Sequence, residues 1–265
     1  MKKVAKICII SIATLILVLV LILTMVFTIK DVKINLLTTS PTLTNQNIME
    51  ALKNKKVLPY NQSVFFVNRK QYTESIEKEV PKIKVINLEI EFPNVLSVNC
   101  VERVPVFAVK ISNSTYNYAI VDEEFKVINQ SMNDAEYINF SFKELLKGEN
   151  GYISEKDVNF NNLIAGEFIS HNYIQDLKSF FASLKTKSTT ESALLKTYSD
   201  IEVYMRHTLE ADHLSIRFKT KTGYNIDMYN FMNDTDRKIT ILLNIVSNPV
   251  TENYIIGDNN NAEVY

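Results

Sequence analysis

The sequence predicts an α+β chain: an N-terminal transmembrane helix, a module of order β-α-α-β-β, and a larger, mainly antiparallel β domain with helices. Three observations predict it. Residues Ile7 to Ile29 carry no charge. Between residues 30 and 110, apolar alternation at both ends flanks two stretches of helical periodicity. After Thr115 the alternation returns, interrupted by two amphipathic stripes. The segments are a tail at 1–6, a membrane helix at 7–29, the first module at 30–110, the β domain at 111–250 and C-terminal edge strands at 251–265.

The apolar run comes first. As a helix it spans roughly 34 Å, against a hydrocarbon core of about 30 Å. It is longer than the apolar region of a cleaved signal peptide, and bulky Met25, Val26 and Phe27 stand where a cleavage site needs small residues. It reads as an uncleaved signal anchor. Lys2, Lys3 and Lys6 precede it, while Lys30, Asp31 and Lys33 partly cancel after it. The positive-inside rule puts the N-terminus in the cytoplasm and the rest outside the cytoplasmic (inner) membrane, as a single-pass type II protein.

Composition narrows the rest. The chain is 46% hydrophobic and 22% charged, so the part after the anchor can bury a core. A net charge of -1 provides no field that would recruit nucleic acid. Cys8 and Cys100 stand in unlike environments, so disulfides do not staple the fold. Five glycines leave no phosphate-cradling loop.

In the first module, Val32, Ile34 and Leu36 share one face of a strand. Thr44 is placed to cap a helix whose stripe is Ile48, Met49 and Leu52. Asn68 and Gln71 make a capping-box pattern for a second helix, with Val67 and Tyr72 as a hydrophobic staple, and Pro81 ends it. Two strands follow around a Pro93-Asn94 turn. Ile86, Leu88, Ile90 and Phe92 form the apolar face of one, and Leu96, Val98 and Cys100 that of the other. A small sheet with both helices on one face is the simplest packing. The charges of Glu102 and Arg103 read as an exposed strand end, or as architectural residues where the chain leaves the hairpin.

These residues resemble the FtsQ/DivIB family of bacterial cell-division proteins. Ser63 to Asn68 (SVFFVN) is similar to the family's step into the second helix. Pro81, Phe92, Pro93, Leu96, Val98, Glu102, Arg103 and Pro105 match its run of strand, aromatic-Pro turn, strand and Glu-Arg-x-Pro. Glu91 departs from it, standing where the family usually has a basic residue. The resemblance implies that the first module is a POTRA domain. Of the matched positions, Pro81, Phe92, Pro93, Glu102, Arg103 and Pro105 are the motif's structural residues.

The second domain resembles the family's β domain. Thr115 to Gln130 reads as two strands about Asp122-Glu123-Glu124, with no glycine where the family's hairpin has one; Glu124 and Phe125 fill that neighbourhood. Residues 131–163 read as irregular, with short elements. His171 to Lys185 makes an amphipathic helix with Ser170 as a possible cap, followed by a polar linker (KTKSTTES). Ile201, Val203 and Met205 mark a strand. Ile216, Phe218 and Thr220 face Tyr224, Ile226 and Met228 across a Lys221-Thr222-Gly223 turn. Asp234 to Ser247 is a helix that Pro249 stops, and Lys238 matches a lysine of the family.

The tail gives two short strands, 253–256 and 262–265. Edge strands present unpaired backbone groups that accept another strand. Tyr254, Ile255, Ile256, Glu263, Val264 and Tyr265 are therefore the candidate partner-binding residues. The family resemblance implies partners of the FtsB/DivIC and FtsL type and a non-enzymatic scaffold at the division septum, linking early and late division components. No cofactor, metal, nucleic acid or small-molecule substrate is expected. Two alternatives stand beside it. One is a type II membrane glycosyltransferase-like enzyme using the Asp234/Asp236 pair, although that pair reads first as the cap of the helix that starts there. The other is a POTRA-bearing transport or chaperone component.

Overall fold

Helix α1 covers Lys2–Val26 in the computed structural model of the chain, which describes residues 2–112, 115–147, 153–161, 163–188, 197–207, 212–248, 251–259 and 261–265. Along α1 the side chains from Ile10 to Leu21 are exposed, Leu15 at 69% and Leu17 at 60%. Its threonine hydroxyls turn back on the helix, Thr14 donating to the Ile10 carbonyl at 2.9 Å and Thr24 to that of Leu21 at 3.0 Å. Among the described residues no helix is long and apolar enough to cross a membrane, and the side chains of α1 are described without a break only from Ile10 to Leu21.

The chain divides into two units, Met1–Arg103 and Val104–Tyr265, each with its own hydrophobic core. After α1, the first contains β1 (Asp31–Leu36), α2 (Asn45–Asn54), a 3-10 turn (Val64–Phe66), α3 (Arg69–Glu79), β2 (Ile83–Glu91) and β3 (Val95–Glu102). The sheet order is β1-β3-β2, with β1 parallel and β2 antiparallel to β3. Both helix starts follow their local chemistry. Thr44 and Asn47 form a reciprocal capping box, and Asn68 accepts from the Gln71 N–H at 3.2 Å. Ile48, Leu52 and Ile76 pack with Val32, Ile34, Leu96, Val98 and Cys100 into one core.

The apolar face of β2 differs from simple alternation. Ile86 is 53% and Phe92 67% exposed, whereas Ile83, Val85 and Leu88 are buried. For Ile86 the cause is a register shift against β3 between Val85 and Asn87, whereas Phe92 lies beyond the end of β2 in the turn. An extra residue in one strand inverts the facing of everything on one side of it. Ile83 and Val85 therefore face the core in one phase, and Leu88 and Ile90 in the other.

The second unit is a ten-stranded sheet with helices α4 (Ile174–Lys187) and α5 (Thr235–Val246). Its strands are β4 (Phe107–Lys110), β5 (Tyr118–Val121), β6 (Val127–Ser131), β7 (Ile138–Lys147), β8 (Ile153–Asp157), β9 (Tyr198–His207), β10 (Asp212–Thr220), β11 (Asn225–Met228), β12 (Tyr254–Ile256) and β13 (Ala262–Val264). The order is β13-β12-β11-β10-β9-β7-β4-β5-β6, with β8 paired to β7. Most pairings are antiparallel; β4 with β7, β7 with β9 and β11 with β12 are parallel. Parallel neighbours need long crossovers, and α4 and α5 lie in two of them.

Residues 131–163 do not form the irregular stretch expected of them. They contain β7, in the middle of the sheet, and β8. Ile138, Phe140 and Phe142 alternate and are buried; the surrounding Asn, Glu and Ser residues mask that period. The helix after His171 starts at Ile174 with Tyr173 at its cap position and no side-chain cap, so Ser170 does not cap it. Of the expected linker (185–192), residues 185–187 instead continue α4, residues 189–192 lie outside the described residues, and so does Pro249.

The turn between β5 and β6 places a bulky residue where glycine would be expected. Phe125 has φ 58° and is fully buried, its ring 5.5 Å from Phe107 and 5.0 Å from Phe140. Asp122 organises the turn, its Oδ1 accepting from the N–H groups of Glu124 at 3.0 Å and Lys126 at 2.8 Å.

Candidate functional site

The C-terminal strands end the ten-stranded sheet. β12 pairs with β11 in parallel, and β13 closes back on β12 with Tyr254, Ile255 and Ile256 opposite Val264, Glu263 and Ala262. Gly257 N–H donates to the Asn261 carbonyl at 3.0 Å and Tyr265 N–H to that of Asn253 at 3.1 Å. In an antiparallel ladder both backbone groups of a residue point the same way, and alternate residues point oppositely. Asn261, Glu263 and Tyr265 thus bond inward to β12, leaving the N–H and C=O of Ala262 and Val264 on the outer edge. At the other end of the sheet the backbone is partly covered: Gly166 N–H donates to the Val127 carbonyl at 2.8 Å, and Val127 N–H to that of Glu167 at 2.9 Å.

Of the six predicted partner residues, Ile256 is fully buried and belongs to the core. Tyr254 and Ile255 are half-buried, and Glu263, Val264 and Tyr265 are exposed, the last two at 56% and 54%. The tail is held by side chains as well. Tyr265 Oη donates to Asp227 Oδ2 at 2.7 Å, and burial together with that bond pushes the phenol up to about 12.

Asp227 is a hub that sequence reasoning did not single out. It is 2% exposed and receives Arg217 Nε at 2.7 Å and Nη2 at 3.2 Å, with Tyr204 Oη at 3.4 Å. Its hydrogen bond holds the Arg217 guanidinium protonated well above the usual arginine range, while burial raises the Tyr204 phenol. The signal was present: the hairpin about Lys221-Thr222-Gly223 sets Arg217 directly opposite Asp227, an opposite-charge cross-strand pair. Beside it, the Arg206 guanidinium lies 3.9 Å from the Tyr229 ring centre and 3.3 Å from Asp258. The partly exposed face near the edge is therefore tyrosine- and arginine-rich.

Glu102 and Arg103 are not an exposed strand end. Glu102 accepts from the Thr42 N–H at 2.7 Å and from its hydroxyl. Arg103 is 7% exposed, pairs with Glu77 at 2.9 Å and donates from Nε to the Ile83 carbonyl at 3.0 Å. Glu77 also accepts from Val85 N–H at 2.9 Å, next to the β2 register shift. One buried network thus joins α3, β2 and the end of β3. Glu91, the departure from the family pattern, pairs with Lys33 at 2.6 Å, which lowers its carboxyl below the usual range.

This is the arrangement of a known module. Residues 27–103 match the family described as POTRA domain, FtsQ-type. They are a POTRA domain of the FtsQ type. The match supports an FtsQ/DivIB-like protein, and the buried Glu77–Arg103 pair lies within the POTRA domain, joining α3 to its last residue. No curated protein matches the chain significantly.

The Asp234/Asp236 pair is split between two jobs. Asp234 occupies the position before α5 with φ 52° and makes no side-chain cap bond, so it is not a conventional cap. The Asp236 carboxylate pairs with Lys187 at 3.2 Å. Among the described residues no group of three or more His, Cys, Asp or Glu is placed to hold a metal ion. Lys238 is fully buried, donating to the Tyr229 carbonyl at 2.7 Å and that of Asn230 at 2.8 Å, and burial lowers its pKa. It ties the turn after β11 to α5.

Proposed function

We propose that this protein is a non-enzymatic scaffold of bacterial cell division, anchored by α1 in the cytoplasmic membrane at the septum. There it binds partners of the FtsB/DivIC and FtsL type and links early and late division components. The FtsQ-type POTRA domain supports the cell-division reading, since that family is generally non-enzymatic. Anchoring is supported by the apolar, exposed side chains of α1, which water would solvate poorly.

The observation that carries the binding mode is the outer edge of β13. Ala262 and Val264 turn their backbone groups outward, and a partner strand adds there by main-chain hydrogen bonding. The test is the full chain in detergent or vesicles, assayed against the extracytoplasmic segments of co-encoded FtsB/DivIC-like and FtsL-like proteins. Val264→Pro removes one outward donor and leaves the inward bonds of Glu263 and Tyr265 in place. Binding that falls at least tenfold with an unchanged melting temperature supports the edge. Binding unaffected by the proline moves the interface elsewhere, and no binding to either partner by the unsubstituted chain removes the scaffold reading.

A further inference from the structure

The chain leaving α1 does not dangle between the helix and the POTRA domain. Val64 N–H donates to the Phe27 carbonyl at 2.8 Å, Ile29 N–H to that of Gln62 at 2.9 Å, and Asn61 N–H to that of Ile29 at 2.9 Å. Lys30 N–H donates to the Asn94 carbonyl in the β2–β3 turn at 2.9 Å. The residues after the helix are thereby clamped to two loops of the domain. Each loop carries an aromatic side chain onto the same spot. The Phe27 ring lies 5.4 Å from Phe65 and 6.3 Å from Phe92, and those two are 6.4 Å apart.

These rings are costly to leave in water. Phe65 is 58% and Phe92 67% exposed, and Phe66, next to Phe65 in the chain, is 78% exposed; none carries the phenol or indole group that makes a surface aromatic tolerable. Phe92 stands just past the end of β2, in the turn to β3, so its ring projects from the loop instead of joining the sheet's buried face. Chain continuity says what covers the patch. Phe27 directly follows the last residue of α1, Val26. Wherever the end of α1 meets the membrane surface, Phe65 and Phe92 must be there too, within one ring's contact.

We propose that the Phe27–Phe65–Phe66–Phe92 tip is a lipid-binding surface that inserts into the interfacial layer of the bilayer beside the exit of α1. The POTRA domain is then seated on the membrane in a fixed orientation rather than tethered above it. This rests on the reading of α1 as a membrane anchor. Aromatic side chains favour that layer, and a shallow apolar face sits about 5–10 Å into the headgroup boundary. The tip adds a second attachment next to the helix, so its insertion is effectively intramolecular.

The chain contains no tryptophan, so a single indole reports its own surroundings. Phe66→Trp, Phe92→Trp and, as a comparator at the far end of β1, Leu37→Trp (59% exposed in the parent chain) are made in the full-length protein. Each is reconstituted in phosphatidylethanolamine–phosphatidylglycerol vesicles, with iodide on both sides or with acyl-brominated lipid. Free N-acetyltryptophanamide is the fully exposed reference. The expected result is that the indoles at positions 66 and 92 lose most of their emission to brominated lipid and are several-fold less quenched by iodide than the free reference. Iodide quenching equal to the reference, in protein that floats with the vesicles, overturns the proposal and leaves the anchor intact. Protection from both quenchers means protein covers the tip, which also overturns it. Protein that fails to float overturns the anchor and this inference together.

Discussion

The Glu77–Arg103 pair has side chains only 10% and 3% exposed, so it follows the rules of buried charge. Removing one partner leaves the other desolvated without its counter-charge, at a cost of about 3–5 kcal/mol, whereas removing both for apolar residues is far milder. Arg103→Ala or Glu77→Ala should each lower POTRA stability by about that amount, and Glu77→Leu with Arg103→Met should recover much of it. Urea denaturation of the four proteins checks this. Phe125 poses the opposite question. A left-handed backbone costs about 1–2 kcal/mol in a residue with a Cβ, so Phe125→Gly relaxes the turn. It also deletes a fully buried ring, and truncating such a ring costs about 3–5 kcal/mol. Packing wins: Phe125→Gly should destabilise the second unit by about 2 kcal/mol or more, read by the same denaturation.

At the scale of the element, the last strands depend on the bond from Tyr265 to Asp227. The folded phenol is raised to about 12 from its ordinary value of 10.0. The unfolded chain therefore releases this proton first. The stabilisation is complete below pH about 10 and is lost as pH rises through about 12. Hydrogen exchange of the β12 and β13 amides, referenced to those of β10, should show the tail loosening selectively in that window, and Tyr265→Phe should remove the pH dependence while weakening the tail at every pH. The strand β2 carries a different lesson. Its composition marks a strand, but the register shift between Val85 and Asn87 decides which residues face in. That shift stands beside the Val85 N–H held by Glu77, a partner eight residues away in another element. Alternation alone cannot show it.

At the scale of the molecule, the two units have cores that share no residue. Two cooperative transitions are the expected outcome of calorimetry on the full chain in detergent. Arg103→Ala should move one of them down and leave the other in place, while Phe125→Gly should do the reverse; a single transition shifted by both substitutions would show that the units unfold together.

The sequence by itself determined the local elements whose signals are local. Thr44, and Asn68 with Gln71, start their helices where expected, because a cap needs only neighbours a few residues apart. The β10–β11 hairpin formed in its expected register because Gly223 supplies a positive φ at the turn. The POTRA order of elements was legible for the same reason. Only the tertiary structure decided the burial of Arg103, the collection of Asp227, Arg217, Tyr204 and Tyr265 at the sheet's end, and the place of β7 in its middle. Each depends on partners far apart in the chain, brought together by crossovers whose pairing no local period specifies. The aromatic tip belongs to both: phenylalanines visible in SVFFVN and the Phe92-Pro93 turn, gathered around Phe27 only because the backbone after the anchor hydrogen-bonds to both loops.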